Sequence, residues 1–217
     1  MDQIIGQKEL VTKLKSYSFQ NMPKTLLFLG ENGSGKHFIS KCFAQHLGVE
    51  LEEINSQTTA EQLIEIYQSP LPKVYLLDLS TIAEKQQHKY LKFIEEPASN
   101  MRIILIAESE IGILPTILNR SIKYNLADYT VEQLRQFSWA SQIENELAFK
   151  LCNTPGQLLA LSNTENLESL QEICNEIVIN ISKMPYSHCL SYICKINFKE
   201  DYNKFDFDLF IKMLIYV

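Results

Sequence analysis

The chain has 217 residues, enough for one large domain or two small ones, and its 46% hydrophobic and 21% charged content is that of a globular protein. A formal net charge of -6 excludes a bulk electrostatic hold on nucleic-acid phosphates, though not a local basic patch. Apolar runs are too short to span a bilayer, and Met1 to Leu10 lacks the core of a secretion signal, so no membrane partner and a cytoplasmic location are expected.

The first apolar run, Lys24–Leu29, ends in a glycine-rich stretch. A helix pattern follows, with Phe38, Ile39, Cys42, Phe43, His46 and Leu47 on one face. Val49–Ile54 alternates like a strand, and Thr59–Gln68 is amphipathic with Thr58 or Thr59 as N-cap. Val74–Leu79 is a continuous apolar run, as in a central parallel strand. Ile82–Glu96 predicts one helix stopped by Pro97. Arg102–Ala107 reads as another buried strand, Ile113–Leu118 as a short helix around Pro115, and Ser121–Leu126 as a last strand. Five strands alternating with helices predict a parallel sheet covered on both faces. From Asp128 onward the pattern is helical: Val131–Trp139, Ile143–Cys152, Gln157–Ser162 and Glu165–Ser182, with a break at Asn153–Gly156. The tail, Phe205–Val217, is strongly apolar and ends without a polar cap, as expected of a truncated chain or a helix that packs on something else.

The five cysteines include no Cys-x-x-Cys pair. Cys189 and Cys194, with His188, are too sparse for a four-ligand zinc site, so reduced, packed thiols are expected and zinc is not. His46, His88 and His188 each lack a second ligand at useful spacing.

The strongest chemical signal is Gly30-Glu31-Asn32-Gly33-Ser34-Gly35-Lys36-His37, between a strand and a helix. This is the context of a phosphate-binding loop: glycines let backbone N–H groups curl around a phosphate, and Lys36 reaches the β- and γ-phosphates. The last position normally carries a Ser or Thr hydroxyl that ligates Mg²⁺. His37 stands there instead, and imidazole is a poor ligand for magnesium. The loop therefore binds ATP or ADP without good metal geometry, or binds none, unless His37 is tolerated drift. The second signal is Asp78 at the end of the Val74–Leu79 run. It either holds Mg²⁺ through water or is a structural remnant, and Leu79 follows it where such an ATPase carries a water-activating Glu.

Three further segments resemble the bacterial DNA polymerase III clamp-loader family of AAA+ proteins. Ile4-Ile5-Gly6-Gln7 is similar to the family's segment near the adenine, which implies a nucleotide contact for Ile5. Leu91–Pro97 resembles its Leu-Leu-Lys-x-Leu-Glu-Glu-Pro helix end, and Ile113–Ser121 its Ile-Leu-Pro-Thr-Ile-x-Ser-Arg-Cys segment. The resemblance covers residues 1–162. It implies a P-loop AAA+ domain over 1–127, a small helical lid over 128–163 and the start of a helical collar-like region over 164–217. It further implies that Arg120 acts in trans as an arginine finger on the ATP of a neighbouring subunit, in a complex that loads a sliding clamp onto primer–template DNA. Ala107-Glu108 stands where family ATPases carry a polar phosphate sensor, and Thr154-Pro155-Gly156-Gln157 resembles a second sensor segment without its arginine. Losing these groups while keeping Arg120 resembles the pattern of that family's delta-prime subunits. Lys85, Lys89 and Lys92 fall at helical spacing as a basic stripe, which the resemblance makes a candidate DNA contact.

Three functions fit these residues: a non-catalytic clamp-loader subunit, an active ATPase motor subunit with unusual ligands, or a scaffold that keeps the fold for binding alone.

Overall fold

The structure is a computed structural model that describes residues 1–143, 146–162, 167–185, 188 and 207–216. It divides into two compact units, Met1–Phe137 with Thr154–Gly156, and Ser138–Asn153 with Gln157–Val217.

The first unit is built on five strands, β1 (Thr25–Leu29), β2 (Glu50–Ile54), β3 (Lys73–Asp78), β4 (Met101–Ala107) and β5 (Ile122–Asn125). They form one wholly parallel sheet in the order β2-β3-β4-β1-β5. The α-helices of this unit are α1 (Lys8–Lys15), before β1, then α2 (Lys36–Leu47), α3 (Ala60–Gln68), α4 (Glu84–Gln87), α5 (Leu91–Glu95) and α6 (Pro115–Arg120) between strands, and α7 (Val131–Leu134) after β5. Every residue of β1 and β4 is buried, which is why these segments read as continuous apolar runs rather than alternating ones. Alternate side chains serve opposite cores. Leu27, Leu29, Tyr75, Leu77, Ile103 and Leu105 pack with Phe93, Ile94 and Ile117 from α5 and α6. Leu26, Phe28, Val74, Leu76, Ile104 and Ile106 pack with Leu10 and Leu14 of α1 and Ile39 and Phe43 of α2. Each such fully buried side chain contributes roughly 1.5–3 kcal/mol, so the sheet is rigid where β1 and β3 deliver their carboxyl ends to one edge.

β2 is an edge strand. Its Glu50 and Glu52 carboxylates lie 3.1 and 3.0 Å from Lys73 Nζ on β3.

Five expected strands are all present, within two residues of the predicted ends. Thr59 caps α3 through a capping box with Gln62, and Thr130 caps α7 in the same way with Gln133. The single helix expected over Ile82–Glu96 is instead three short pieces: α4, a 3-10 turn at His88–Tyr90, and α5. Gln87 and Tyr90 are buried side by side there, and their packing overrides a continuous α-helical stripe. The expected face of α2 is also corrected: Phe38 and His46 are exposed, while Ser40 and Ala44 take the buried places. The helix expected over Val131–Trp139 stops at Leu134, and a 3-10 turn follows at Ser138–Gln142.

The second unit is helical among its described residues: α8 (Glu146–Leu151), α9 (Pro155–Ser162, its first two residues in the first unit), α10 (Leu167–Ser182) and α11 (Phe207–Tyr216). α11 packs on α8 and α10, around buried Leu147, Phe149, Leu158, Cys174, Ile177 and Met213. Cys189 and Cys194 lie outside the described residues, as do Tyr186, Tyr192, Phe198, Tyr202 and Phe205. No helix among the described residues is long and apolar enough to cross a membrane.

Candidate functional site

The glycine-rich loop sits where β1 ends and α2 begins, at the carboxyl edge of the sheet. Gly33 and Gly35 have φ of 78° and 91°, left-handed conformations that side chains disfavour. Lys36 closes the loop on itself, donating to Gly30 O at 2.6 Å and Glu31 O at 2.9 Å. The Ser34 side chain is buried beneath the loop, so Ser34 offers a ligand only its backbone. Glu31 and Asn32 are exposed at the tip.

Two segments brace this loop from outside. Thr154 Oγ1 donates to Asn32 O at 2.9 Å, and the Gly156 N–H donates to Gly33 O at 3.0 Å. Tyr129 Oη donates to Ser34 O at 3.1 Å. The Gln7 side-chain amide forms a two-way bridge to the backbone of Ala127, giving its N–H to Ala127 O at 2.6 Å and taking Ala127 N–H at 2.9 Å. Gln7 thereby fixes the Ile4–Gln7 segment, with Ile5 half-buried, against the stretch that carries Tyr129.

The surroundings of Lys36 are acidic. Burial pushes its ammonium below the usual lysine range, and the Glu108 and Asp78 carboxylates oppose that shift. His37 stands between two carboxylates, with Nδ1 3.8 Å from Glu53 Oε1 and Nε2 3.5 Å from Asp78 Oδ2. Asp78 is engaged on its other oxygen, where Oδ1 accepts from the N–H and hydroxyl of Ser80 and caps the 3-10 turn Leu79–Thr81. Leu79 is buried.

This donor set fits a phosphate but not the magnesium that usually accompanies it. The loop offers glycine backbone and one ammonium, which suit an anion. The position that should supply a hydroxyl oxygen supplies an imidazole whose two nitrogens diverge toward different carboxylates. A single octahedral, oxygen-seeking ion is not served by that arrangement. Among the described residues no group of three His, Cys, Asp or Glu side chains is placed to hold a metal ion.

Arg120 lies elsewhere, as the last residue of α6. Its side chain is 52% exposed, and Nε is 3.2 Å from Glu95 Oε1 at the end of α5. Among the described residues its Nη1 and Nη2 groups donate to no acceptor. α6 is held at its start by Gln87, a residue that sequence reasoning did not single out. Gln87 is fully buried, donates Nε2 to Gly112 O at 2.8 Å and Ile82 O at 3.3 Å, and accepts the Leu114 N–H on Oε1 at 3.0 Å.

Lys85, Lys89 and Lys92 are all exposed, but the break between α4 and α5 means they are not one helical stripe. Lys89 is engaged, donating to Thr58 O with its ammonium 5.3 Å from the Tyr90 ring centroid.

Fold and site together define a P-loop protein of the AAA+ architecture. Solved structures share it: the chain is similar to Thermotoga maritima RuvB, described as a Holliday junction branch migration motor, at TM-score 0.60 and 16% identity, over 91% of this chain and 72% of that one. A variant of the same RuvB is similar at TM-score 0.59 and 16% identity, over 90% and 71%. At such identity the likeness is one of fold. Residues 68–130, which include Asp78, the Leu91–Pro97 motif and Arg120, match the family described as DNA polymerase III, delta subunit. Over that span the chain is similar to the clamp-loader delta-type family, in the same region as two of the sequence motifs that carry the resemblance. No curated protein sequence matches the chain.

Proposed function

We propose that the chain is a non-catalytic, delta-prime-like subunit of a DNA polymerase III clamp loader that lends Arg120 to the ATP site of a neighbouring subunit. The observation that carries this reading is the contrast between its two charged sites. Around the P-loop, His37 replaces the metal-ligating hydroxyl, Leu79 the water-activating carboxylate, and Glu108 sets a negative charge close to Lys36. At the end of α6, by contrast, Arg120 presents an exposed guanidinium with its terminal nitrogens uncommitted among the described residues. A planar cation of that kind stabilises charge on a transferring phosphoryl group. The partners of this reading are the other clamp-loader subunits, a sliding clamp, and primer–template DNA, toward which Lys85 and Lys92 are the freer cations. Ile5 and the P-loop would hold ADP or ATP, if any, without Mg²⁺ in its usual place. The work is cytoplasmic.

The test is a reconstituted clamp loader. Arg120→Ala should lower ATP turnover at the neighbouring site about a thousandfold, the low end of what an arginine finger supplies, while the complex still assembles. Lys36→Ala should leave turnover near wild type. Unchanged turnover in Arg120→Ala would overturn the proposal. A second reading, an ATPase motor subunit, draws on the well-formed loop and Lys36 closure, and it requires Lys36→Ala to abolish hydrolysis by the isolated chain.

A further inference from the structure

We infer that Glu95 is a positioning residue that aims Arg120 before a neighbour arrives, an inference that rests on the reading of Arg120 as a group lent in trans. The two residues are the last of their helices, α5 and α6, which pack together through buried Ile94 and Ile117. α6 is anchored at its start by Gln87 and by Pro115 in its first turn, so the backbone beneath Arg120 is fixed. The side chain above it is not fixed by packing, since it is half-exposed. An arginine free to sample its rotamers would lose that freedom on meeting a phosphate, and the loss would weaken the contact.

Glu95 removes part of that freedom. Its carboxylate is less exposed than the guanidinium, 31% against 52%, so it forms the fixed side of the pair. The contact runs through Nε, nearest the chain, and leaves Nη1 and Nη2, the pair that can grip phosphate oxygens, without an acceptor among the described residues. A carboxylate on the last residue of a helix lies against the negative end of the peptide dipoles, where it is disfavoured on its own, and Arg120 offsets this.

The experiment uses the reconstituted clamp loader and measures ATP kcat and KM for Glu95→Gln, Glu95→Asp, Arg120→Ala and the Glu95→Gln/Arg120→Ala double variant. Glu95→Gln keeps shape and removes charge. It is expected to lower kcat about fivefold with KM and assembly unchanged, as for a group acting only on the transferring phosphoryl. Glu95→Asp, which keeps the charge one methylene shorter, should recover part of the loss. The double variant should turn over no more slowly than Arg120→Ala, because Glu95 acts only through that arginine. Wild-type kcat or a gain in Glu95→Gln, or a further loss in the double variant, would overturn the inference while leaving the role of Arg120 intact. If Arg120→Ala itself turns over normally, the reading of Arg120 fails and this inference with it.

Discussion

A Cβ placed on Gly156 would stand 2.5 Å from the Cα of Gly33, so the P-loop and the 154–156 segment meet backbone to backbone. No side chain fits between them. Gly156→Ala is expected to destabilise the first unit by about 1–3 kcal/mol, the usual cost of overpacking. Thr154→Val, which removes the hydroxyl that donates to Asn32 O, should cost about 1 kcal/mol. Urea unfolding measures both. A wild-type midpoint in Gly156→Ala would mean the segment can step away from the loop.

Gln87 should be among the more sensitive polar positions. Gln87→Leu keeps the volume but strands the Leu114 N–H and the Gly112 and Ile82 carbonyls. The expected loss is about 1–3 kcal/mol in denaturant unfolding, the cost of a buried unsatisfied group. A negligible loss would show that water replaces the amide.

Nucleotide titration of the isolated chain should show no turnover, and adding Mg²⁺ should change ATP affinity by less than about twofold, because the donor set at His37 and Asp78 does not suit that ion. His37→Ser restores the hydroxyl and should make binding metal-dependent. Calorimetry with and without Mg²⁺ distinguishes the two. Mg²⁺-dependent hydrolysis by the unaltered chain would favour the motor-subunit reading.

Burial pushes the thiols of Cys152 and Cys174 up to about 11. The folded state therefore keeps protons that the unfolded chain releases from about pH 9. Stability from this source is complete below that pH and is lost as pH rises toward 11. Unfolding free energy should fall more steeply from pH 8.5 to 10.5 in the natural chain than in Cys152→Ala/Cys174→Ala, whose starting stability is lower. Parallel slopes would rule these thiols out as the cause.

The sheet was legible because its central strands are buried on both faces and so write themselves as apolar runs. The P-loop and Arg120 were legible as motifs. Gln87 was not, since a buried glutamine has no periodic signature and its role depends on two carbonyls and an amide up to 27 residues away. The pairing of Glu95 with Arg120 was hidden for the same reason: both motifs could be read, but not their distance. The break in the Ile82–Glu96 helix escaped notice because burial of Tyr90 and Gln87, not local propensity, decides it.

The charged character of β2 has a consequence for how copies of the chain behave at high concentration. An open strand edge is a template on which another chain can add and extend into fibres. Here Glu50, Glu52 and Glu53 occupy three of the five positions of that edge, with a single lysine to balance two of them. Two such edges brought together would set carboxylate against carboxylate, so this side of the sheet discourages stacking and stays in solution as a border rather than a seam.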